Sequence, residues 1–529
     1  DREVYYIPPN FLTSGRLFGG TIRARNAIEA CVLVLATAIP LWKLPLGLTT
    51  RVILMCLLPL PLGIFAIVGI EGDSLSEFAI NWLRWLVNRR ILFRSDSIPE
   101  EPKKRRRNSK AVTMDQSEHQ PPEGLGIHIK EKQKKRTAKR TPLIEIKIRG
   151  HETDSSSKAK RKGRRENTTE DMIPITDIRN GIIHTEDGRY IKILEVEPIN
   201  FLLRNPREQR NIISGFASWM KISPVRMQIK VLTKKADISR HLENLRNDMA
   251  RETNEKCKML QSDYYKLIQT IGSREAITRR FLIIFEYEQS YGTRKPDYAE
   301  IVSTLETAAR TAKQYFQHCD NEIVTHDDEN AFLLDTLYAV IDRGTCDKIT
   351  LDDRVKQLQI RQATTDEPDE ITVPMVLAPQ SVDLRHGAYV VMDGIYHAYL
   401  LVPSDGYNSR VVAGWTSMLV NAGEGIDIDF FFTREPKDRI QSKLGQQIHI
   451  NRSRIKDSSD TNSDFDDFEG AIKAGYYLKQ GLSNYEDFYY TNILITITAD
   501  SLPNLEWRTA EVTRLLVSQD MDVRVCRFR

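Results

Sequence analysis

The chain has 529 residues, of which 41% are hydrophobic and 28% charged, and its net charge is +4 at pH 7. This length is enough for roughly three or four domains, and the apolar fraction excludes a chain that is disordered throughout. Six scattered cysteines form no CxxC pair, which excludes a zinc ribbon or a disulfide framework and is typical of a reducing compartment. Because the chain begins at Asp1 and stops at RVCRFR, we expect both ends to be cuts.

Two apolar segments near the start predict a membrane hairpin. Residues 52–70, VILMCLLPLPLGIFAIVGI, carry no charge and come close to the ~20 apolar residues that a spanning helix needs. The shorter run 30–42, extended by 44–48, spans only if Lys43 snorkels to the interface. The turn KLPLGLTTR between them would place Trp42, Lys43 and Arg51 as anchors at one membrane surface. The alternative is a buried helical hairpin in a soluble domain.

The distribution of basic residues predicts the orientation of this hairpin. Its loop holds only Lys43 and Arg51, whereas many arginines and lysines flank it on both sides. Basic residues favour the cytoplasmic side of a membrane, so both ends of the hairpin should face the cytoplasm. The flanking basic residues are Arg16, Arg23, Arg25, Arg84, Arg89, Arg90, Arg94 and 103–107.

The next segment, DSLSEFAINWLRWLVNRRILF, predicts an amphipathic helix. Its apolar residues recur at helical spacing, and Asp73 or Ser74 could cap its start. Trp82 and Trp85 with flanking arginines are typical of a helix in the interface plane of a membrane. An ordinary helix packed on a soluble domain is the alternative.

These N-terminal features resemble a known family. YYIPPNF and FGGTIRARNAIEA, followed by the hairpin and EFAINWLRWLVNRRILF, resemble the PrgI family of conjugation proteins over about residues 3–95. Members are small inner-membrane subunits of type IV secretion and conjugative transfer machines, with an N-terminal IP motif that here is Ile7–Pro8. The resemblance implies the cytoplasmic membrane of a bacterium.

Residues 101–170 predict a basic, flexible linker. Residues 101–165 hold 21 basic and 8 acidic side chains, and the rest of the chain holds 55 basic and 64 acidic ones. Attraction to anionic lipid, DNA binding and a merely solvated linker all remain open, although the segment lacks aromatic residues that stack on bases. The candidate lipid- or DNA-facing residues are Lys103, Lys104, Arg105, Arg106, Arg107, Arg161, Lys162, Arg164 and Arg165.

An internal duplication is the main feature of the remaining chain. GIIHTEDGRYIKILEVEP (181–198) compares with GAYVVMDGIYHAYLLVP (387–403), and the hairpin turns are predicted at Asp187–Gly188 and Asp393–Gly394. FASWM and GWTSM follow as helices, and FLIIFEYE (281–288) corresponds to NILITITA (492–499). This order predicts two α+β sandwiches, each a sheet with helices on one side, joined by the helix ENAFLLDTLYAVI. Chance similarity of common elements is the alternative.

The duplicated region has a resemblance of its own. DGIYHAYLLVP, GWTSMLVNAGEGIDIDFFFTREP and DMIPITDIRNGIIHTEDGRYIKILEVEPINF resemble the N-terminal half of the conjugation ATPases of type IV secretion, over about residues 171–529. Together with the first resemblance, this implies a PrgI-like subunit fused to the N-terminal region of such an ATPase. The family's ATP- and Mg²⁺-dependent motor domain would then lie elsewhere.

Catalytic and cofactor motifs are absent from the sequence. A phosphate loop of the type GxxxxGK[ST] is excluded because the dipeptide Gly-Lys never occurs. Glu286 and Glu288 are therefore interpreted as strand-end residues. The segment from Asp460 lacks the glycine and final glutamate of a calcium loop and is interpreted as a solvated acidic loop. In THDDEN, Asp327 or Asp328 is interpreted as a helix cap.

The sequence therefore predicts an α+β protein with a transmembrane hairpin, an interfacial helix and tandem pseudo-repeated sandwich domains. The expected divisions are a membrane-anchor domain (1–100), the linker (101–170), a first α+β domain (171–330), a helical connector (331–370) and a second α+β domain (371–529). We expect no enzyme activity, cofactor or metal in this chain, while the intact protein could be an ATPase.

The predicted function is an inner-membrane scaffold or coupling subunit of a type IV secretion or conjugative DNA-transfer system. It would position the energising ATPase and bind other inner-membrane subunits in an oligomeric complex, with transferred DNA as an indirect partner. Two alternatives remain: the N-terminal part of the secretion ATPase itself, and a membrane-tethered DNA-binding adaptor.

Overall fold

A computed structural model describes most of the chain outside the basic linker. The described residues are 4–6, 16–17, 22–43, 45, 47–69, 74–88, 90–94, 168–223, 225–235, 239–274, 277–288, 297–365, 371–404, 406–407, 410–412, 414–457 and 463–527. All nine basic candidates between Lys103 and Arg165 lie outside these ranges. The IP motif at Ile7–Pro8 also lies outside them.

The N-terminal region is mainly helical. Its elements are β1 (Val4–Tyr6), β2 (Arg16–Leu17), β3 (Ile22–Arg23), α1 (Ala24–Lys43), α2 (Leu48–Leu57), α3 (Pro59–Val68), α4 (Leu75–Val87) and β4 (Ile91–Phe93). Pro59, which has no backbone N–H to donate, separates α2 from α3 at Leu58 within the second apolar segment. Ser74 caps α4 by accepting a hydrogen bond from the Glu77 amide at 3.3 Å, which confirms one of the two predicted caps.

The first repeat follows the linker. Its elements are β5 (Ile175–Arg179), β6 (Ile182–Thr185), β7 (Arg189–Glu197), α5 (Pro206–Ile222), β8 (Arg226–Lys235), α6 (Ser239–Arg251), α7 (Glu255–Arg274), β9 (Ile277–Glu288), α8 (Tyr298–His318) and β10 (Glu322–Ile323). A capping box between Asn205 and Glu208 starts α5, where Pro206 supplies a preset φ.

A group of helices and the second repeat complete the chain. The connecting helices are α9 (Glu329–Ile341), α10 (Arg343–Cys346), α11 (Leu351–Thr365) and α12 (Val373–Leu377). The second repeat contains β11 (Ser381–Asp383), β12 (Val390–Met392), β13 (Ile395–Val402), β14 (Arg410–Val412), α13 (Ser417–Val420), β15 (Ile426–Glu435), α14 (Lys437–Asp457), α15 (Ser463–Ser483), β16 (Phe488–Ala499), α16 (Leu502–Val517) and β17 (Arg524–Val525). Because α15 begins at Ser463, most of the predicted acidic loop is helical.

The strand order confirms the duplication. One antiparallel sheet has the order β4-β11-β12-β13-β16-β15-β8-β9-β7-β6-β5, with β10 added to β7 and β17 added to β13. The strands of the first repeat therefore lie in the order β5-β6-β7-β9-β8, and those of the second repeat in the order β11-β12-β13-β16-β15. β10 beside β7 and β17 beside β13 also occupy matching positions. The two repeats meet where β8 pairs with β15, so a pseudo-twofold axis passes between these strands. The fold is α+β, as predicted, but the repeats share one sheet instead of forming two.

The two faces of this sheet are covered differently. Met227 and Val231, four positions apart on β8, point to the same face and pack with α5, α8, α13 and α16. Leu232 points to the opposite face, where the first repeat packs against α9, α11 and α12. The first repeat is therefore covered by helices on both sides, which differs from the one-sided sandwich that the sequence predicted.

Candidate membrane interface

Helix α1 packs antiparallel against α3 through small side chains. Pro59, Gly63 and Ala66 lie at intervals of four and three residues on α3 and are its buried residues. A Cβ atom at Gly63 would lie 2.7 Å from Val34 Cγ2, so a larger residue would force Val34 or the two helices to shift. Small residues at such positions are the usual means by which membrane helices pack tightly.

The outer face of this hairpin is apolar and exposed. More than half of the surface of each of five α1 side chains is accessible, and they recur every three or four residues: Ile28, Val32, Leu35, Ile39 and Trp42. By length and composition, 25–43 and 49–68 could each cross a membrane. Only 11% and 17% of the two apolar windows are buried, whereas a core helix of a soluble protein would be mostly buried.

The predicted anchor residues at the hairpin turn lie close together. The Arg51 guanidinium lies over the Trp42 ring, 5.4 Å from its centroid, and Lys43 ends α1 with an exposed side chain. A cation over an indole face is a favourable pair, and both groups suit a membrane–water boundary. Their role as anchors remains a prediction.

A polar cluster joins the other end of α1 to α4. Glu29 accepts hydrogen bonds from the Ser76 hydroxyl at 2.5 Å and from the Ser76 amide at 3.1 Å. Arg25 forms ion pairs with both Glu29 and Glu77. This network lies at the end of the hairpin that the charge distribution places in the cytoplasm.

Helix α4 has two different sides. Its exposed apolar residues are Ile80, Trp82, Leu83, Leu86 and Val87. Trp85 instead donates a hydrogen bond from Nε1 to the Leu384 carbonyl at 2.6 Å, and Arg90 lies 4.4 Å from the Trp85 ring centroid. The two tryptophans that were predicted together as anchors therefore have different environments. Trp82 is exposed, and Trp85 is half-buried against the second repeat.

A strand pair connects the hairpin region to the large sheet. β4 pairs with β11, and Leu92, opposite Val382, is 1% exposed. The Arg94 amide donates to the Gln380 carbonyl at 2.9 Å, and the Thr169 hydroxyl donates to Pro379 at 2.7 Å. Periodicity in the sequence does not reveal this connection, because ILF, at 91–93, is too short to show a strand pattern.

A buried ion pair crosses the junction between the repeats. Lys230 on β8 and Asp429 on β15 are directly opposite, with Nζ 2.9 and 3.1 Å from the two carboxylate oxygens. Both residues are less than a tenth exposed, and Gln228 also donates to Asp429 at 2.7 Å. The pair favours this register of the two strands, because separating its partners would leave each charge buried without compensation.

A second buried group ties the connecting helices to the same junction. Asp427 accepts from the Thr233 amide and hydroxyl, both at 2.8 Å, and from Arg343 at 2.6 Å. Burial and the positive charge of Arg343 lower the pKa of His397 to about 4. His397 is therefore neutral near pH 7.

The two predicted repeat turns are hairpin turns of different length. Asp187 and Gly188 lie in a three-residue loop with Gly188 at φ +82°, whereas Asp393 and Gly394, at φ +49° and +81°, form a two-residue loop. The Arg189 side chain donates a hydrogen bond to the Asp187 carboxylate and lowers the pKa of Asp187 to about 2. Asp393 instead accepts from three residues outside its turn: Thr345, Gln380 and Ser381.

The candidate chemical motifs have structural roles. Asp328 caps α9 by accepting from the Asn330 and Ala331 amides at 2.9 and 3.1 Å. Glu286 pairs with Arg189 at 3.0 Å, and Glu288 pairs with Arg226 at 2.5 Å, as expected of strand-end residues. Within the described ranges, no group of three or more His, Cys, Asp or Glu side chains could hold a metal ion.

Comparison with known proteins assigns part of the first repeat. Residues 176–309, from β5 into α8, match the sequence model of the archaeal TraC-like domain. No curated protein matches the chain significantly. The match points to a conjugation-related protein. The domain description is archaeal, whereas the PrgI-like features led us to expect a bacterial source.

Proposed function

We propose that this chain is a membrane-anchored scaffold and coupling subunit of a conjugation-related secretion apparatus of the type IV class. The observation that carries the proposal is the pairing of β4 with β11. This pairing makes the strand after the apolar hairpin part of the same sheet that contains the TraC-like segment. The hairpin lies in the cytoplasmic membrane with both ends in the cytoplasm, in keeping with the basic flanks and the exposed apolar face of α1.

The proposed mechanism is mechanical. A single sheet with buried ion pairs at its central junction resists sliding of one repeat against the other. A displacement applied to the outer strands of the first repeat would therefore reach β11, β4 and the hairpin. The chain transmits such displacements from a motor to the membrane complex.

The partners follow from this mechanism. An ATPase motor domain binds ATP and Mg²⁺ elsewhere, neighbouring inner-membrane subunits complete an oligomeric complex, and DNA is contacted indirectly. This chain itself does not hydrolyse ATP, because it lacks the Gly-Lys pair of a phosphate loop.

Membrane fractionation of the full chain tests the anchor. Val32→Asp with Leu35→Asp places two carboxylates on the exposed face of α1, at a cost of about 2.5–3.5 kcal/mol each at a bilayer centre. We expect the unmodified chain to remain in the membrane pellet after alkaline carbonate, and this variant to leave it.

The matched control is Met259→Asp with Leu260→Asp, at two similarly exposed positions of α7. It should stay in the pellet. Release of the unmodified chain by carbonate, or equal loss of both variants, would contradict the proposed anchor.

A further inference from the structure

A cleft of about 590 Å³ lies between α4 and the second repeat. Asn81 and Arg84 of α4 and Asn88, the residue that follows its last turn, line one side, and Tyr399, Leu401 and Leu494 of β13 and β16 line the other. These strand residues lie on the face of the sheet opposite to α16. In the first repeat the same face is filled by α9, α11 and α12. The second repeat thus has a cavity where its counterpart has packed helices.

The chemistry of the cleft is divided between its walls. Arginine, two amides and the Trp85 ring face it from the helix side, while the other wall is mainly aromatic and aliphatic and also contains His386 and Cys526. Among the described residues that line it, none is Asp or Glu. Asp383, on β11, is neutralised by Arg385 through bonds of 2.6 and 3.0 Å. The cleft therefore suits a ligand with an anionic group joined to an apolar chain.

The position of the cleft identifies the source of that ligand. The apolar residues Ile80, Leu83 and Val87 of α4 are exposed. Each is followed in the chain by a residue that lines the cleft, so the exposed apolar row and the cleft-lining row lie side by side. This inference rests on the proposed function: with the hairpin in the membrane and the exposed row of α4 on the bilayer surface beside it, the cleft opens at the level of the lipid headgroups. Its volume lies within the usual range for small-molecule sites.

We propose that this cleft binds one anionic phospholipid from the membrane that holds the hairpin. Arg84 and the two asparagine amides bind the headgroup phosphate, since a guanidinium matches the geometry of phosphate oxygens. The upper part of one acyl chain lies against Tyr399, Leu401 and Leu494. The lipid thereby joins α4 to the second repeat at the membrane surface.

The test uses the full chain purified in detergent and titrated with dioleoylphosphatidylglycerol or dioleoylphosphatidylcholine, with bound lipid counted by native mass spectrometry. We expect one tightly retained phosphatidylglycerol and severalfold weaker binding of phosphatidylcholine. Arg84→Gln should weaken phosphatidylglycerol binding about tenfold, because it removes a charge-assisted bond. Arg310→Gln, at an exposed position of α8, should leave the binding unchanged.

A second variant tests the cavity without changing charge. Ala388→Trp, at an exposed position of the cleft wall, should block the acyl chain and release the lipid while Arg84 remains. Equal binding of the two lipids, or equal behaviour of Arg84→Gln and Arg310→Gln, would overturn the proposal. So would competition by glycerol 3-phosphate as strong as that by lipid, since this would indicate a site for soluble anions.

The outcomes separate this inference from the proposed function. A chain that stays in carbonate-washed membranes but retains no phospholipid refutes the lipid site and leaves the anchor intact. A chain that is released by carbonate refutes both.

Discussion

The two repeats share a strand order but differ in what covers their sheets. In the first repeat, helices pack on both faces, and Trp219, at 1% exposed, lies within one of the two cores. In the second repeat, α16 and the four-residue α13 cover one face, and the other is covered in part by α10 and bordered by α4 and the cleft. The two repeats thus share the order of their strands and differ in the helices that pack on those strands.

This difference separates two tasks. The first repeat has helices packed on both faces of its sheet and contains the segment that matches the TraC-like domain. The second repeat receives β4 and Trp85 from the hairpin region, and so forms the contact with the candidate membrane anchor. A surface left open in one copy of a duplicated fold is available for a new partner, whereas the same surface in the other copy is not.

Breaking the junction between the repeats should have the largest effect. Asp429→Leu leaves Lys230 buried without its partner, and we expect a loss of about 3–5 kcal/mol in the free energy of unfolding. Thermal unfolding of the full chain in detergent, followed by circular dichroism, measures this loss. The double variant Lys230→Met with Asp429→Leu should recover most of it. A single variant as stable as the unmodified chain would show that the pair does not hold the repeats together.

The tryptophans of the two repeats provide the next test. Trp219 is packed edge-to-face against Phe216 and Phe316, so Trp219→Ala should cost about 3–5 kcal/mol. Trp415, next to α13, is only half-buried, and Trp415→Ala should cost about half as much. Unfolding curves measured under one set of conditions compare them. Equal losses would show that the two copies are equally well packed on this face.

The smallest expected effect concerns the pH response of the connecting helices. Burial raises the pKa of Asp342 to about 6 from an ordinary 3.8, although Arg354, at 2.8 Å, opposes this shift. The folded state therefore binds the proton more tightly, and its contribution to stability is present below pH 4 and lost as the pH rises through 6. The whole change is at most about 3 kcal/mol.

Comparison of the unmodified chain with Asp342→Asn isolates this contribution. Their difference in unfolding free energy should change between pH 4 and 6 and be constant from pH 7 to 8. A difference that is independent of pH over the whole range would contradict the raised pKa.

Much of the local structure could be predicted because it depends on neighbouring residues. The two apolar helices, the Ser74 cap, the Asp328 cap and both Asp-Gly hairpins follow from helical spacing, side-chain acceptors and turn chemistry. The two segments could be compared with each other, which predicted the strands beside each Asp-Gly turn, the helices α5, α8, α13 and α16, and the strands between them. The strands β5 and β11 and the helices α6, α7, α14 and α15 were not predicted. The acidic segment from Asp460 was misjudged, since its charges masked the helical pattern that continues into α15.

The candidate site could be predicted only in part. The exposed face of α1 and the pairing of Trp42 with Arg51 agree with the expected hairpin. The cleft could not be foreseen, because its walls come from α4 and from strands much further along the chain. Trp85 and Leu384, which form its hydrogen-bonded edge, are 299 positions apart.

By itself, the sequence determined the two apolar helices, the helix α4, the main strands and Asp-Gly turns of the repeats, and that one arrangement occurs twice. These properties depend on periodicity and on interactions over a few residues. Only the tertiary structure decided that the repeats join at β8 and β15 with Lys230 opposite Asp429, and that β4 extends the sheet at β11. Strand partners and register between distant segments depend on buried charges and on shape, and neither can be seen in one segment alone.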